Sequence, residues 1–285
     1  MKGVGRRLFG RRTKITLGAG IVMCAIVTAT LAPWIAPYDP LKQDLLSRLM
    51  PPAWDSGGAF SHLLGTDNYG RDLLSRLIFG SRVSILVGVA AMIVSCSLGT
   101  LLGMVAGYKG GAAEQIIMRL ADAHLSFPEI LLAILVVAAF GGSLVNLVAV
   151  LGISGWMVYA RLAFGMTRSL KARPFIEAVQ SQGASDAYIM RRHILPQFAP
   201  VLTVVSTLQV AQMILTETAL SFLGLGLPPP TPSWGNILAE GRDRLLVAPW
   251  ISNFAGLSII LVVWGINMLG NGLREAFDPK RDAHD

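Results

Sequence analysis

The chain has 285 residues, of which 53% are hydrophobic and only 14% charged, and its net charge is +7. Soluble domains hold about 25% charged residues, so a single water-soluble core is excluded, and the long uncharged runs point to membrane spans. The positive balance fits the Lys and Arg of cytoplasmic loops in a protein lying in lipid better than it fits nucleic-acid binding.

In chain order, residues 1–14 form a basic N-terminus with Arg6-Arg7 and Arg11-Arg12. The 18 apolar residues 15–32 that follow exceed a signal-peptide core of about 7–15. They read as an uncleaved first transmembrane helix over 15–37, ending at Pro33, Trp34 and Pro37. Residues 38–82 read as an extracytoplasmic segment whose PYDP, PP and SGG are turns. Within it, 72–79 has helical apolar spacing and predicts a short helix lying along the membrane interface. The membrane core occupies 83–273. Residues 83–106 carry no charge and form the second span. The third, 118–141, is continuously apolar only over 130–140, with Asp122, His124 and Glu129 at its mouth and Pro128 as a kink. Residues 144–164, 201–225 and 251–269 complete six spans, with a Pro-rich elbow and a short amphipathic piece between the last two. Residues 274–285 form a tail. The fold class is all-α, a polytopic membrane protein with six transmembrane helices. Thirty glycines suit close helix approach. With the N-terminus inside, 17 of the 24 Lys and Arg fall on inner segments, which predicts both termini in the cytoplasm.

Several chemistries are excluded. The chain has no Gly-Lys pair, so it cannot form the loop that cradles phosphates in P-loop nucleotide hydrolases. Gly152-Ile153-Ser154-Gly155 resembles the serine motif of an intramembrane protease, but neither of the last two spans carries a histidine base. Small residues for helix packing explain it better. Cys24 and Cys96 read as small apolar groups, and no two of the four histidines suit a metal site. Glu217 lies within the fifth span, where an acid costs about 2.5–3.5 kcal/mol to insert. It is expected to face a partner subunit or the transport path, and a lone acid does not make a proton relay.

The loop 167–200 contains EAVQSQGASDAYIMRRHILP. Arg173-Pro174 sets a helix start, 175–182 has no breaker, and Gly183 ends the helix. Ser185 or Asp186 caps a second helix over 187–193, which stops before Pro196. Ala178, Gly183 and Ala184 keep the bend slim, so the segment reads as a knob for a groove on a partner protein.

Glu177, Ala178, Gly183, His193, Leu195 and Pro196 follow the pattern E-A-x-x-x-x-G…H-x-L-P. It resembles the EAA loop of ABC importer permeases, with Val179 where alanine is usual. LGTDNYGRDLLSRLIFGSRVSILVG at 64–88, ETALSFLGLGLPPPTPSWGNIL at 217–238 and LGNGLREAFDPK at 269–280 are similar to the C-type permease subunits of dipeptide, oligopeptide, glutathione and nickel importers. The resemblance implies a type I importer permease in the plasma or inner membrane, paired with a B-type permease. Two ATP-binding subunits would hold ATP and Mg, and an extracytoplasmic binding protein would deliver substrate. This chain would be no enzyme and bind no cofactor. Its ATPase-coupling residues would be Glu177, Ala178, Gly183, Ala184, Ser185, Asp186, His193 and Pro196. Peptides are the expected cargo, with nickel or another small solute as the alternative. A stand-alone carrier or protease is the reading from a different class.

Overall fold

The computed structural model describes residues 10–277. Residues 1–9 and 278–285, which include Arg6, Arg7, Lys280 and Arg281, lie outside the described residues. Helix α1 runs Arg11–Thr30 and a four-residue α2 runs Ala32–Ile35, so the first span begins before residue 15 and breaks at Leu31.

The 37 residues Leu73–Lys109 contain no proline and fold as one helix, α3, about 55 Å long at 1.5 Å per residue. The separate interfacial helix expected at 72–79 is therefore the first two turns of the second span. Its apolar face is in phase with that span, and Leu73 and Leu77 are buried against Trp234 and Ile237 rather than lipid. The Asp72 side chain caps the helix by accepting from the Ser75 amide.

Helices α4 (Gly111–Leu125) and α5 (Glu129–Phe140) meet at 90°. The kinked third span expected from sequence is in fact a sharp elbow at Ser126–Pro128. Pro128 has no N–H to donate and adopts extended backbone, ψ 122°, so the helix cannot carry through it. At about 22 and 18 Å, neither arm alone crosses roughly 30 Å of hydrocarbon. Helix α6 is Leu144–Lys171, α7 Pro174–Ser181, α8 Asp186–Ile189, α9 Ala199–Phe222, α10 Trp234–Arg242 and α11 Pro249–Ala276. Among the described residues five helical stretches are long and apolar enough to span, or six with the elbow as one. The protein is all-α and crosses the membrane several times.

Glycines set how close these helices come. Gly99 and Gly103 of α3 face α6, where an added Cβ would sit 2.1 Å from the Trp156 and Ala160 carbonyl oxygens respectively. Backbones this close leave room for nothing larger, the usual device for packing helices in lipid. Gly18 plays the same part between α1 and α11, where a Cβ would lie 2.5 Å from the Leu269 amide nitrogen.

Residues 38–72 and α10 build a cap over the N-terminal end of α3. Apart from the short turn Leu45–Ser47 the segment is irregular, and buried ions hold it. Asp67 accepts from Arg71 Nε at 2.6 Å and from the Arg76 guanidinium. Glu240 of α10 accepts from Arg71 Nη2 at 2.9 Å and from both terminal nitrogens of Arg76 at 2.6 and 2.9 Å. Buried charges persist only when paired and hydrogen-bonded in this way.

Candidate functional site

The loop at the opposite end of α3 is built on an apolar footing. Ile176, Ile189, Ile194 and Phe198 from the loop bury against Met104 and Tyr108 of α3 and Ala163 and Leu170 of α6. Tyr108 is the anchor, with its hydroxyl accepting from Gln180 Nε2 at 3.1 Å and its carbonyl from Lys171 Nζ at 2.6 Å. The Lys171 ammonium also lies 4.8 Å from the centre of the Tyr108 ring, a cation–π distance.

Helix α7 starts with Pro174 in its first turn. It ends where Gly183 takes φ +81°, with the Gly183 amide on Gln180 O at 2.9 Å and the Ala184 amide on Val179 O at 3.4 Å. That pair of bonds is the glycine C-terminal motif expected from the sequence. Ser185 is the cap of the second helix, accepting from the Tyr188 amide at 3.4 Å, and Asp186 is that helix's first residue.

The second helix does not stop before Pro196. After α8 the chain widens into a π-helical turn, Met190–Ile194, tightens into a 3-10 turn, Leu195–Phe198, and enters α9 without a break. Pro196 removes one donor and crowds the preceding turn. The wide turn before it and the tight one at it absorb both effects while helicity continues. The result is one helical rod, Asp186–Phe222, running from the knob through the membrane.

Glu177, Ala178, Ser181, Gly183 and Asp186 are exposed, as are the larger Phe175 and Tyr188. No atom lies within 4 Å of where a Gly183 Cβ would stand. The Glu177 carboxylate has no partner among the described residues. His193 is half-buried with its ring 5.6 Å from that of Tyr188. Ala184 is half-buried against the loop's own core, Ser185 and Pro196 are exposed, and Val179 packs partly into that core. The valine that departs from the usual alanine thus points largely into the knob's base. The exposed set, two aromatics, two carboxylates and a bare glycine, suits docking to another protein.

Glu217 is elsewhere and is fully buried, 0% exposed. Ser221 donates to one carboxylate oxygen at 2.8 Å and Ser84 of α3 to the other at 3.2 Å. Ser84 also accepts from the Trp234 amide at the start of α10, at 3.4 Å. The acid lies inside the chain's own bundle, tying α3, α9 and α10 together, rather than on a face turned to a partner or the path. Hydroxyl donors supplied by this chain make that burial tolerable. Sequence reasoning also missed Tyr108 and the clamp of Asp67, Arg71, Arg76 and Glu240. Asp67 and Arg71 lie in irregular chain before Leu73, so no helical spacing pointed there.

The chain is similar to known proteins along most of its length. Residues 99–283 match the family described as binding-protein-dependent transport system inner membrane component. Residues 4–52 match the N-terminal TM domain of oligopeptide transport permease C. The chain is 43% identical to a di/tripeptide transport system permease protein of Pseudomonas aeruginosa, over 94% of this chain and 88% of that one. It is 40% identical to a glutathione transport system permease protein of Pectobacterium atrosepticum, over 94% and 88%. A dipeptide transport system permease protein of Haemophilus influenzae is 39% identical, over 93% and 90%. With one family covering most of its spans and relatives this similar along nearly its whole length, the chain belongs to the binding-protein-dependent transport system inner membrane components.

Proposed function

We propose that this chain is one of two permease subunits in an ATP-driven peptide importer and forms half of the path. A B-type permease supplies the other half, two ATP-binding subunits dock on the knob, and an extracytoplasmic binding protein delivers peptide to the cap end. The knob faces the cytoplasm with both termini. ATP and Mg reside on the partner subunits, and this chain contributes no cofactor or catalytic group. Peptide cargo follows the relatives, whose names specify di- and tripeptides, dipeptides and glutathione.

The observation that carries this reading is the helical rod Asp186–Phe222. Its near end is the exposed docking face, and its far end is pinned to α3 and α10 through Glu217. Closure of the ATP-binding subunits on the knob would push the rod as one body, because a continuous helix transmits displacement where a flexible linker would dissipate it. Movement of the rod, together with the α3 to which it is pinned, relative to the partner permease would then alternate the opening of the path between the two sides.

The test is reconstitution of this chain with its permease partner, ATP-binding subunits and binding protein in proteoliposomes. Uptake of a radiolabelled dipeptide is expected only with ATP on the knob side and binding protein on the cap side. Uptake by this chain alone, or without ATP, would instead identify a stand-alone carrier.

A further inference from the structure

The packing explanation of Gly152-Ile153-Ser154-Gly155 accounts for its glycines but not for its serine. A Cβ at Gly152 would meet Val94 at 2.6 Å, and one at Gly155 would meet Met213 at 2.4 Å, so both glycines admit a neighbouring helix. Ser154 is 1% exposed, yet its hydroxyl has no hydrogen-bond partner among the described residues. Several hydroxyls in these spans return to the carbonyl one turn back, Thr203 to Ala199 at 2.8 Å, Thr207 to Thr203 at 2.7 Å and Ser258 to Phe254 at 2.8 Å, while Thr167 and Thr218 are unpaired like Ser154 among the described residues but do not line this cleft. Ser154 makes no such bond to Val150. An unpaired hydroxyl in hydrocarbon costs on the order of 1–3 kcal/mol, which a ligand could recover.

Ser154 lines a cleft of about 350 Å³ between α5 and α6, walled by Leu132, Val136 and Phe140 on one side and Ala149 and Ile153 on the other. That volume falls in the range of small-molecule sites, about 300–1,000 Å³. At its mouth the Asn146 amide donates to the Phe140 and Gly141 carbonyls at 2.8 and 3.0 Å, which leaves its own carbonyl oxygen unengaged among the described residues. Ser154 is about 15 Å along α6 from the helix start, half of a roughly 30 Å hydrocarbon layer. The other wall, α5, is one arm of the 90° elbow. Broken helices near the midplane are where transporters commonly bind substrate.

We propose that this cleft is a subsite on the transport path that takes an apolar side chain of the passing peptide, while the Ser154 hydroxyl meets the peptide's backbone. The proposal rests on the importer reading above and adds where cargo is sorted. A lipid acyl chain would match the walls but leave the Ser154 hydroxyl without a partner. A peptide brings both an apolar side chain and amide groups.

The experiment uses the assembled complex in proteoliposomes and compares uptake of diglycine with that of alanyl-phenylalanine. Ala149→Phe fills the cleft, and the uptake ratio of the bulky to the small peptide is expected to fall at least tenfold. An unchanged ratio, whether both uptakes persist or both fall, would overturn the proposal. So would loss of the partner permease from the purified complex, which would make the cleft a socket for that subunit. If Ala149→Phe prevents assembly of this chain itself, Ala149→Cys in a background without Cys24 and Cys96 decides. Alanyl-phenylalanine present during turnover is expected to slow its thiol labelling severalfold, and an unchanged rate would overturn the subsite. Ser154→Ala is expected to slow uptake of both peptides alike, and no change in either would remove the hydroxyl from the site. If the unmodified complex imports neither peptide with ATP, the importer reading fails and not the subsite alone.

Discussion

Glu217 is a buried acid whose two oxygens are each met by a serine hydroxyl, one from its own helix and one from a residue 133 positions away on α3. Such a group cannot be dropped without consequence for its neighbours, because the serines then lose their acceptor inside the bundle. Glu217→Gln keeps the shape and an amide able to bond both hydroxyls, so assembly and uptake are expected to stay within about twofold of the unmodified complex. Glu217→Leu strands Ser84 and Ser221 and unpins the start of α10. A penalty on the order of 1–3 kcal/mol follows for the orphaned groups, visible as a lower unfolding temperature in detergent. Loss of uptake in a fully assembled, equally stable Glu217→Gln complex would mean that the carboxylate acts on cargo or protons. Nothing near residue 217 in sequence betrays its partner on α3, so this side chain's surroundings were not legible in advance. Only its cost was.

Among the elements, the rod from knob to membrane has the clearest consequence. Gly183 stands at φ +81°, a conformation that strains any side chain, and open space surrounds it. Gly183→Arg therefore combines backbone strain of about 1 kcal/mol with a long charged group on the docking face. The chain is expected to insert and pair with its permease partner, while peptide uptake falls at least tenfold per ATP hydrolysed. Normal uptake with normal amounts of ATP-binding subunit would remove Gly183 from the contact. The knob was legible because its signals are local: proline at the first helical position, glycine at the end and a serine cap, each with a backbone consequence within four residues. The rod was not, because Pro196 looks like a stop unless the π and 3-10 turns around it are known. Residues 72–79 misled for a related reason, since periodicity marks an apolar face without saying whether lipid or Trp234 covers it. At Pro128 the sequence showed a break and withheld the angle.

At the scale of the whole molecule the two ends differ in how they hold charge. The cap locks Arg71 and Arg76 in ion pairs with Asp67 and Glu240, and its segment 38–72 carries three Lys and Arg against five in the knob loop 167–200. The knob instead leaves Arg173, Arg191 and Arg192 exposed, close to the ends of spans where the orientation rule applies most strongly. Both points favour the knob in the cytoplasm and the cap outside. Ser181 on the knob and Ser56 on the cap are exposed, which makes them suitable reporters. In a background lacking Cys24 and Cys96, Ser56→Cys is expected to react with a membrane-impermeant maleimide added outside. Ser181→Cys should react only after the membrane is permeabilised. The reverse pattern would place the knob on the side away from cytoplasmic ATP. No ATP-binding subunit could then reach it, and the importer mechanism built on the rod would fall with the orientation.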